Sequence, residues 1–316
     1  MNQRRFLITG GHGCVGAWVA KNLVQAGDPT LVYDLDLEPR RMALLMKPEE
    51  IASITFIRGD ITDGEQLTQV IGDNGITSII HLAALQHPDC HANPIRGAQI
   101  NVIGTLNVFE AARRFPDQVQ QLVYASSSAA MGPEEAYEVK PIPDDAPLFP
   151  ASYYGVFKAC NEESARIYWL NERLSSIGLR PGVLYGPGRD QGRSADLTVA
   201  IKAGLAGQQF HIDFGGRINA QFVDDVAKAF IACAKAEHKG ASTFNLRGIV
   251  ASIPEFVAEI ERQIPSARGL ITYGQEHIPA PSDVDDKGLR GLIGQAPITP
   301  LADGIAQTRA IFQQMV

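Results

Sequence analysis

The sequence predicts an α/β fold, a doubly wound parallel sheet followed by a smaller carboxy-terminal lobe. Three observations predict it. Short, uninterrupted apolar runs alternate with helix-forming stretches from Phe6 to Arg180, and strands that are apolar on both faces belong in a sheet covered on both sides, hence parallel with right-handed crossovers. The first such run opens into FLITGGHGCVGAWVA, Phe6 to Ala20, a strand that breaks into spaced glycines before an apolar-periodic helix. Beyond about Gly186 the alternation loosens, and a 316-residue chain that is 45% hydrophobic can bury one large core with a modest second lobe.

In chain order, Phe6-Leu7-Ile8-Thr9 reads as a buried strand. The glycine spacing after it has a mechanical reason: Gly10 permits the tight turn, Gly13 lets the backbone approach a pyrophosphate, and Gly16 lets helix and strand pack closely. The amides that open the helix, at Cys14 and Val15, face the phosphates, where unsatisfied donors and the positive end of the helix dipole favour negative charge. The next apolar run, Leu31-Val32-Tyr33, ends in Asp34, close to the distance at which a ribose-binding acid is expected. A carboxylate there accepts from both adenosine ribose hydroxyls and repels a 2'-phosphate, which points to NAD rather than NADP. Arg40 and Arg41, nearby, pull the other way.

Glu38 to Glu50 has helix-forming composition, Ile54 to Ile57 reads as a strand ending at Gly59-Asp60-Ile61, Asp63 to Ile71 as a helix, and Ser78 to Leu82 as a strand stopping at Ala83-Ala84. Ligands on such sheets sit beyond the carboxyl ends of the strands. Asp60 and Ile61 are therefore expected to frame the adenine, and Leu82, Ala83 and Ala84 to border the cofactor. Gln86, His87 and Asp89 follow, placed to touch a substrate. The cluster His87-Pro88-Asp89-Cys90-His91 has the composition of a metal site, but zinc wants ligands from separated segments and no second cluster is visible. A polar pocket loop without metal is the expectation.

Ile95 to Arg114 reads as one long helix containing Asn101, and Leu122 to Ala125 as a strand opening into Ser126-Ser127-Ser128. After a proline- and acid-rich loop from Gly132 to Pro150, Ser152 caps a helix whose Tyr154 and Lys158 lie one turn apart on one face, with Glu162 on the same side. Ser175 to Arg180 completes a dinucleotide-binding domain over residues 1–180. Residues 181–316 are expected to form mainly a substrate-binding lobe, with some segments returning to the main sheet. Helices are expected at Ala195 to Ala206, Asp224 to Ala236 and Ile253 to Gln263, and strands at Phe244 to Leu246 and Leu270 to Tyr273. Gln275 to Pro300 reads as loop before a final helix.

The net charge of -7 lacks the basic stripe of a nucleic-acid binder. No apolar run approaches the roughly 20 residues that cross a bilayer. Arg4-Arg5 precedes an apolar run too short for a signal peptide and needed as the first strand, so a cytoplasmic protein is expected. Cys14, Cys90, Cys160 and Cys233 fall in no paired spacing, which suits reduced, packed thiols.

TGGHGCVG, Asp34, GDITD, HLAA, NVIGTLNVFEAAR, VYASSSAAMG, YYGVFK, RPGVLYGPG and FVDDVA stand in this order between residues 9 and 227. Together they resemble the extended branch of the short-chain dehydrogenase/reductase superfamily, the branch of NAD-dependent sugar epimerases and dehydratases. The resemblance implies a Rossmann sheet, NAD, a small sugar-type substrate and catalysis by Ser127, Tyr154 and Lys158. Tyr154 and Lys158 match the family's Tyr-x-x-x-Lys, in which a phenolate removes the proton of a substrate alcohol. Tyrosine near pKa 10 is a poor base at neutral pH, but a neighbouring ammonium and oxidised nicotinamide favour its charged form. Ser127 matches the hydroxyl that bonds the reacting oxygen, and Asn101 a position near the nicotinamide. Relatives are commonly dimers that pair the Tyr154 helix with the helix around Asn101 to Arg114.

The chain also departs from its relatives. Nucleotide-sugar epimerases place a diphosphate-gripping arginine where GGRINAQFVDD puts Ile218, beside Arg217. A strand-end asparagine is replaced in Pro181-Gly182-Val183, and Ser128-Ala129 stands where dehydratases carry Asp-Glu, which disfavours dehydration. Two enzyme readings follow: epimerisation of a sugar without net redox, or net oxidation of a free sugar, sugar acid or polyol. A non-catalytic NAD(H) sensor is the third. Gln86, His87, Ser128, Arg189 and Arg217 are the candidate substrate contacts, and Arg180 and Arg193 are further cations for a carboxylate or phosphate.

Overall fold

The structure, a computed structural model, describes residues 4–314. In chain order its strands are β1 (Phe6–Thr9), β2 (Thr30–Asp34), β3 (Thr55–Arg58), β4 (Ser78–His81), β5 (Gln121–Ala125), β6 (Ser176–Arg180), β7 (Val183–Tyr185), β8 (Phe210–Ile212), β9 (Arg217–Phe222), β10 (Ala241–Asn245), β11 (Ile249–Ser252) and β12 (Ile271–Tyr273). Seven of them form one parallel sheet in the order β10-β6-β5-β4-β1-β2-β3. This is the doubly wound Rossmann order with one strand added at an edge, and the order reverses between β1 and β4. Two small sheets, β11-β9-β7 and β12-β8, lie outside it.

The strands alternate their side chains between two cores. Phe6 and Ile8 of β1 pack with Trp18, Val226 and Phe230, whereas Leu7 packs with Leu67, Val108 and Phe109. The helices Cys14–Gln25 and Val223–Lys235 therefore cover one face, and Gly64–Asp73 and Gly104–Arg113 the other. Both faces are dry, which is why the strands read as continuous apolar runs. The turn after β1 needs its glycines. Gly10 has φ +72°, and a Cβ there would sit 2.6 Å from the Ala83 amide nitrogen. A Cβ on Gly16 would collide with the Gly10 carbonyl oxygen, so β1 and the following helix pack only without side chains at these positions.

Several elements differ from the sequence expectation. Glu38 to Glu50 is not one helix: a turn at Met42–Leu44 is followed by a helix at Pro48–Ala52, because Pro48 has no N–H to continue a helix and suits a first turn. His87 to His91 is helical, over His87–Ala92, rather than a loop, with Pro88 again in the first turn. The long helix containing Asn101 is divided into Pro94–Ala98, a widened π turn at Gln99–Ile103, and Gly104–Arg113. At its centre the Asn101 carbonyl accepts from Thr105 Oγ1 at 2.7 Å and from Asn161 Nδ2 at 2.8 Å, side-chain donors of the kind that open a helix ladder. Within Gln275 to Pro300 a helix forms at Lys287–Ile293.

Strand β9, RINAQF, carries two buried polar residues, so its pattern does not read as a core strand. Both are satisfied. Asn219 Nδ2 and Gln221 Nε2 donate to the Leu246 carbonyl at 2.8 and 2.6 Å, and Gln221 Oε1 accepts from the Gly182 amide at 2.8 Å. These bonds fix the Pro181–Leu184 segment beside the open end of the main sheet, where it borders a cavity.

Candidate active site

A cleft runs across the carboxyl ends of the strands as two adjoining cavities of about 300 and 370 Å³. They share Gly10, Gly13, Cys14, Leu82, Ala84 and Arg189. The first is bordered by Tyr33, Asp34, Asp60, Ile61 and Ala83, and the second by Val15, Gly16, Ser127, Tyr154 and Lys158. Thus the residues expected from the sequence to border a dinucleotide lie along one continuous groove, Asn101 excepted.

At the first end, Asp34 Oδ2 accepts from the His12 amide at 3.0 Å, which ties the glycine loop to the end of β2. The nearby arginines are already paired. Arg41 binds Asp190 at 2.6 Å and the His12 carbonyl at 3.0 Å, and Arg40 turns outward to Glu38. Asp60 accepts from the Thr62 amide and hydroxyl at 2.9 and 2.8 Å, and the amide bond above all holds its carboxyl below the usual range. Burial pushes the Cys14 thiol up to about 12, so this residue lines the groove as a neutral group.

At the second end, the Ser152 side chain caps the helix Tyr153–Glu172 by accepting from the Gly155 amide at 3.1 Å. Tyr154, Lys158 and Glu162 then recur at four-residue spacing on the inward face. Tyr153, one position away, is exposed and stacks on Phe157. Lys158 is buried, its Nζ 2.6 Å from the Ala125 carbonyl and 5.6 Å from the Tyr154 ring centre. Burial lowers its ammonium to about 8. Burial also raises the Tyr154 phenol, opposed by a hydrogen bond from Ser127 and by the Arg189 charge.

The three serines separate clearly. Ser126 donates to Glu162 Oε1, Ser128 is tied through its amide to the Pro181 carbonyl at 2.9 Å, and Ser127 is the one whose hydroxyl meets the phenol. Asn101 stays out of the groove. Its amide group is spent on the Leu85 backbone, at 2.7 and 2.9 Å, and on Cys90 Sγ at 3.3 Å. It positions the Leu85-Gln86 segment. Below it, His81 bridges Thr9 Oγ1 at 2.6 Å and Thr105 Oγ1 at 3.0 Å, and burial drops its imidazole to about 3.

Of the candidate substrate contacts, Gln86, His87, Ser128 and Arg189 line the cavity, while Arg217 is exposed on the edge of β9 beyond it. Arg180 is likewise unavailable, held by Glu162 through Nε at 2.9 Å and Nη2 at 2.7 Å. Sequence reasoning missed Leu85 and the segment Ile278 to Ala280, which close the cavity walls. Both lie in stretches without periodicity, and no local signal marks them.

The profile of the family described as NAD dependent epimerase/dehydratase matches residues 6–246. The chain belongs to this family. A UDP-glucose 4-epimerase from Mycolicibacterium smegmatis is 30% identical over 320 residues, 98% of either chain. The mitochondrial L-threonine 3-dehydrogenase of Sus scrofa is 27% identical over 287 residues, 88% of this chain and 72% of that one. The solved structure of UDP-glucose 4-epimerase with UDP-glucose from Thermotoga maritima superposes with a TM-score of 0.85 over 98% of this chain and 99% of that one, at 22% identity, a likeness of fold. As a member of the NAD dependent epimerase/dehydratase family the chain is an enzyme of the extended short-chain dehydrogenase/reductase type, with NAD as its cofactor. The residues present fit that cofactor: a glycine turn, Gly10 and Gly13, bordering both cavities, an acid closing β2, and one groove joining them to Tyr154.

Proposed function

We propose that the chain oxidises, or oxidises and re-reduces, a secondary hydroxyl of a sugar or sugar derivative, with Tyr154 as general base. The observation that carries this reading is the convergence of Ser127, Tyr154 and Lys158 beside the glycine cradle. NAD, when bound, supplies the hydride acceptor. Tyr154 takes the proton of the substrate hydroxyl, and Ser127 hydrogen-bonds the same oxygen. Lys158 donates to the nicotinamide ribose hydroxyls and keeps a positive charge under the phenol, which favours its ionised form. Asp34 accepts from the adenosine ribose, and Arg40 and Arg41 are paired with Glu38 and Asp190 rather than held ready for a 2'-phosphate. In this scheme residues 1–180 serve the cofactor and residues 181–316 mainly the substrate.

A pH dependence follows from Lys158. With its ammonium at about 8 in the free chain, cofactor binding that uses the charged form raises that value. Affinity is therefore full below about pH 8 and declines as pH rises from there toward the higher value of the complex. Titration calorimetry with NAD from pH 7 to 9.5 is expected to show a rising Kd with proton uptake; a flat profile counts against this role for Lys158.

Net oxidation of a substrate without a nucleotide is the second reading, and one observation favours it. Ile218, at the place of the diphosphate-gripping arginine, is only 2% exposed, and Arg217 lies outside the cavity. Incubation with NAD and a panel of sugars, sugar acids and nucleotide sugars separates the readings. NADH accumulation identifies a dehydrogenase, and an inverted stereocentre without NADH an epimerase. Neither, across the panel, leaves an NAD(H)-binding protein without catalysis and overturns the proposal.

We place the enzyme in the cytoplasm as a homodimer. Ile95 and Ile103 on one helical stretch and Val156, Ile167 and Leu170 on the helix Tyr153–Glu172 are exposed. An apolar surface of this kind marks an interface, here the pairing of these helices with a second copy.

A further inference from the structure

The cavity beside Tyr154 is charged on one side of the ledger only. Lys158, Arg189 and Arg193 border it, and among the described residues no aspartate or glutamate does. Of the two arginines, Arg189, four residues past β7, is the one without a counter-ion among the described residues. Its Nη1 donates to Gln86 Oε1 at 3.0 Å and its Nη2 to Ser194 Oγ at 2.6 Å, both neutral acceptors, while its buried Nε has no partner. Arg193 is paired, through Nη2 to Glu276 at 3.2 Å, but Glu276 is 85% exposed, and such a surface pair contributes little. A guanidinium held in a partly desolvated cavity by neutral groups favours an anion strongly.

Accepting the reaction proposed above, we infer that the substrate is a small hydroxy acid whose carboxylate sits on Arg189, only a few bonds from the hydroxyl presented to Tyr154. Arg189 and Tyr154 border the same cavity of about 370 Å³, which suits an anion and a reacting alcohol carried by one small molecule. No cation from β9 reaches this cavity to hold a distant diphosphate. Gln86 and Ser194 take one N–H each from Nη1 and Nη2, and each of these two nitrogens keeps a second N–H to offer a carboxylate. The same guanidinium also borders the adenosine side of the groove, where the pyrophosphate of the cofactor offers the other source of negative charge. That segment is already provided for by the amides at the head of the helix Cys14–Gln25.

The test is binding to the NAD-loaded enzyme, measured by titration calorimetry with D-gluconate, D-galactonate and L-threonate against D-glucitol, galactitol and L-threitol, and with UDP-glucose. At least one acid is expected to bind about tenfold or more tightly than its alditol, the size of one charge-assisted contact. Arg189→Met is expected to abolish that difference and Arg189→Lys to keep part of it, with the loss of acid affinity clearly larger than any loss of NAD affinity. Acids no tighter than alditols, or UDP-glucose tighter than every acid, overturn the inference. So does an Arg189→Met variant that loses NAD affinity as severely as acid affinity, since the pyrophosphate is then the anion. An acid that binds selectively but is neither oxidised nor epimerised supports the inference and refutes the reaction.

Discussion

Replacing Tyr154 by phenylalanine is expected to lower turnover at least about a hundredfold, equivalent to about 2.7 kcal/mol in the barrier, while cofactor binding and the fold persist. The ring keeps its packing in this variant. Only the phenolic oxygen is lost, and Ser127, whose hydroxyl accepts from the Ala129 amide at 3.1 Å, stays in place. Tyr153 offers no substitute, because it points outward and stacks on Phe157. Steady-state rates together with NAD titration check this. Near-wild-type turnover refutes the base; lost NAD binding shows that the phenol serves the cofactor instead.

The second large effect concerns stability. Glu162 and Arg180 form a two-pronged ion pair with side chains 6% and 5% exposed, and Ser126, the Asp144 carbonyl and the Asn245 side chain complete the network. Removing one member leaves a buried charge unpaired, which costs about 3–5 kcal/mol, whereas apolar residues at both positions are tolerated far better. Arg180→Met is therefore expected to be destabilised by about this amount, and the double variant Arg180→Met/Glu162→Met to recover most of it. Urea unfolding decides. A stable Arg180→Met, or a double variant no better than the single, contradicts the assignment. Because Glu162 shares its helix with Tyr154 and Lys158 and reaches Ser126 beside Ser127, the network also aligns the catalytic face.

This network shows where the sequence stops being legible. The glycine loop, Asp34 and the Tyr154–Lys158 pair are set by spacing along one strand, turn or helix, so local periodicity revealed them. Arg180 offered no such signal. As a strand-end cation it matched an anion site, and only the fold brings Glu162, eighteen positions earlier, against it. Asn101 is a similar case, since its amide meets Leu85 and its carbonyl meets Asn161, sixty positions later. Its π turn is a tertiary product. In the second lobe β10 and β12 were legible, but β7, β8 and β11 escaped because three or four residues carry little periodicity, and in β9 hydrogen bonds to Leu246 let buried Asn219 and Gln221 stand where an apolar pattern is expected. Arg217 and Ile218 are adjacent in sequence but lie on opposite faces of that strand, and only the structure says which one turns inward.

A crystal structure of the chain grown with NAD tests the central claim most directly. The adenosine ribose is expected on Asp34, the pyrophosphate over the glycine loop, and the nicotinamide between Lys158 and the Tyr154 phenol. A nicotinamide lying elsewhere, or a phenolic oxygen turned away from it, contradicts the account.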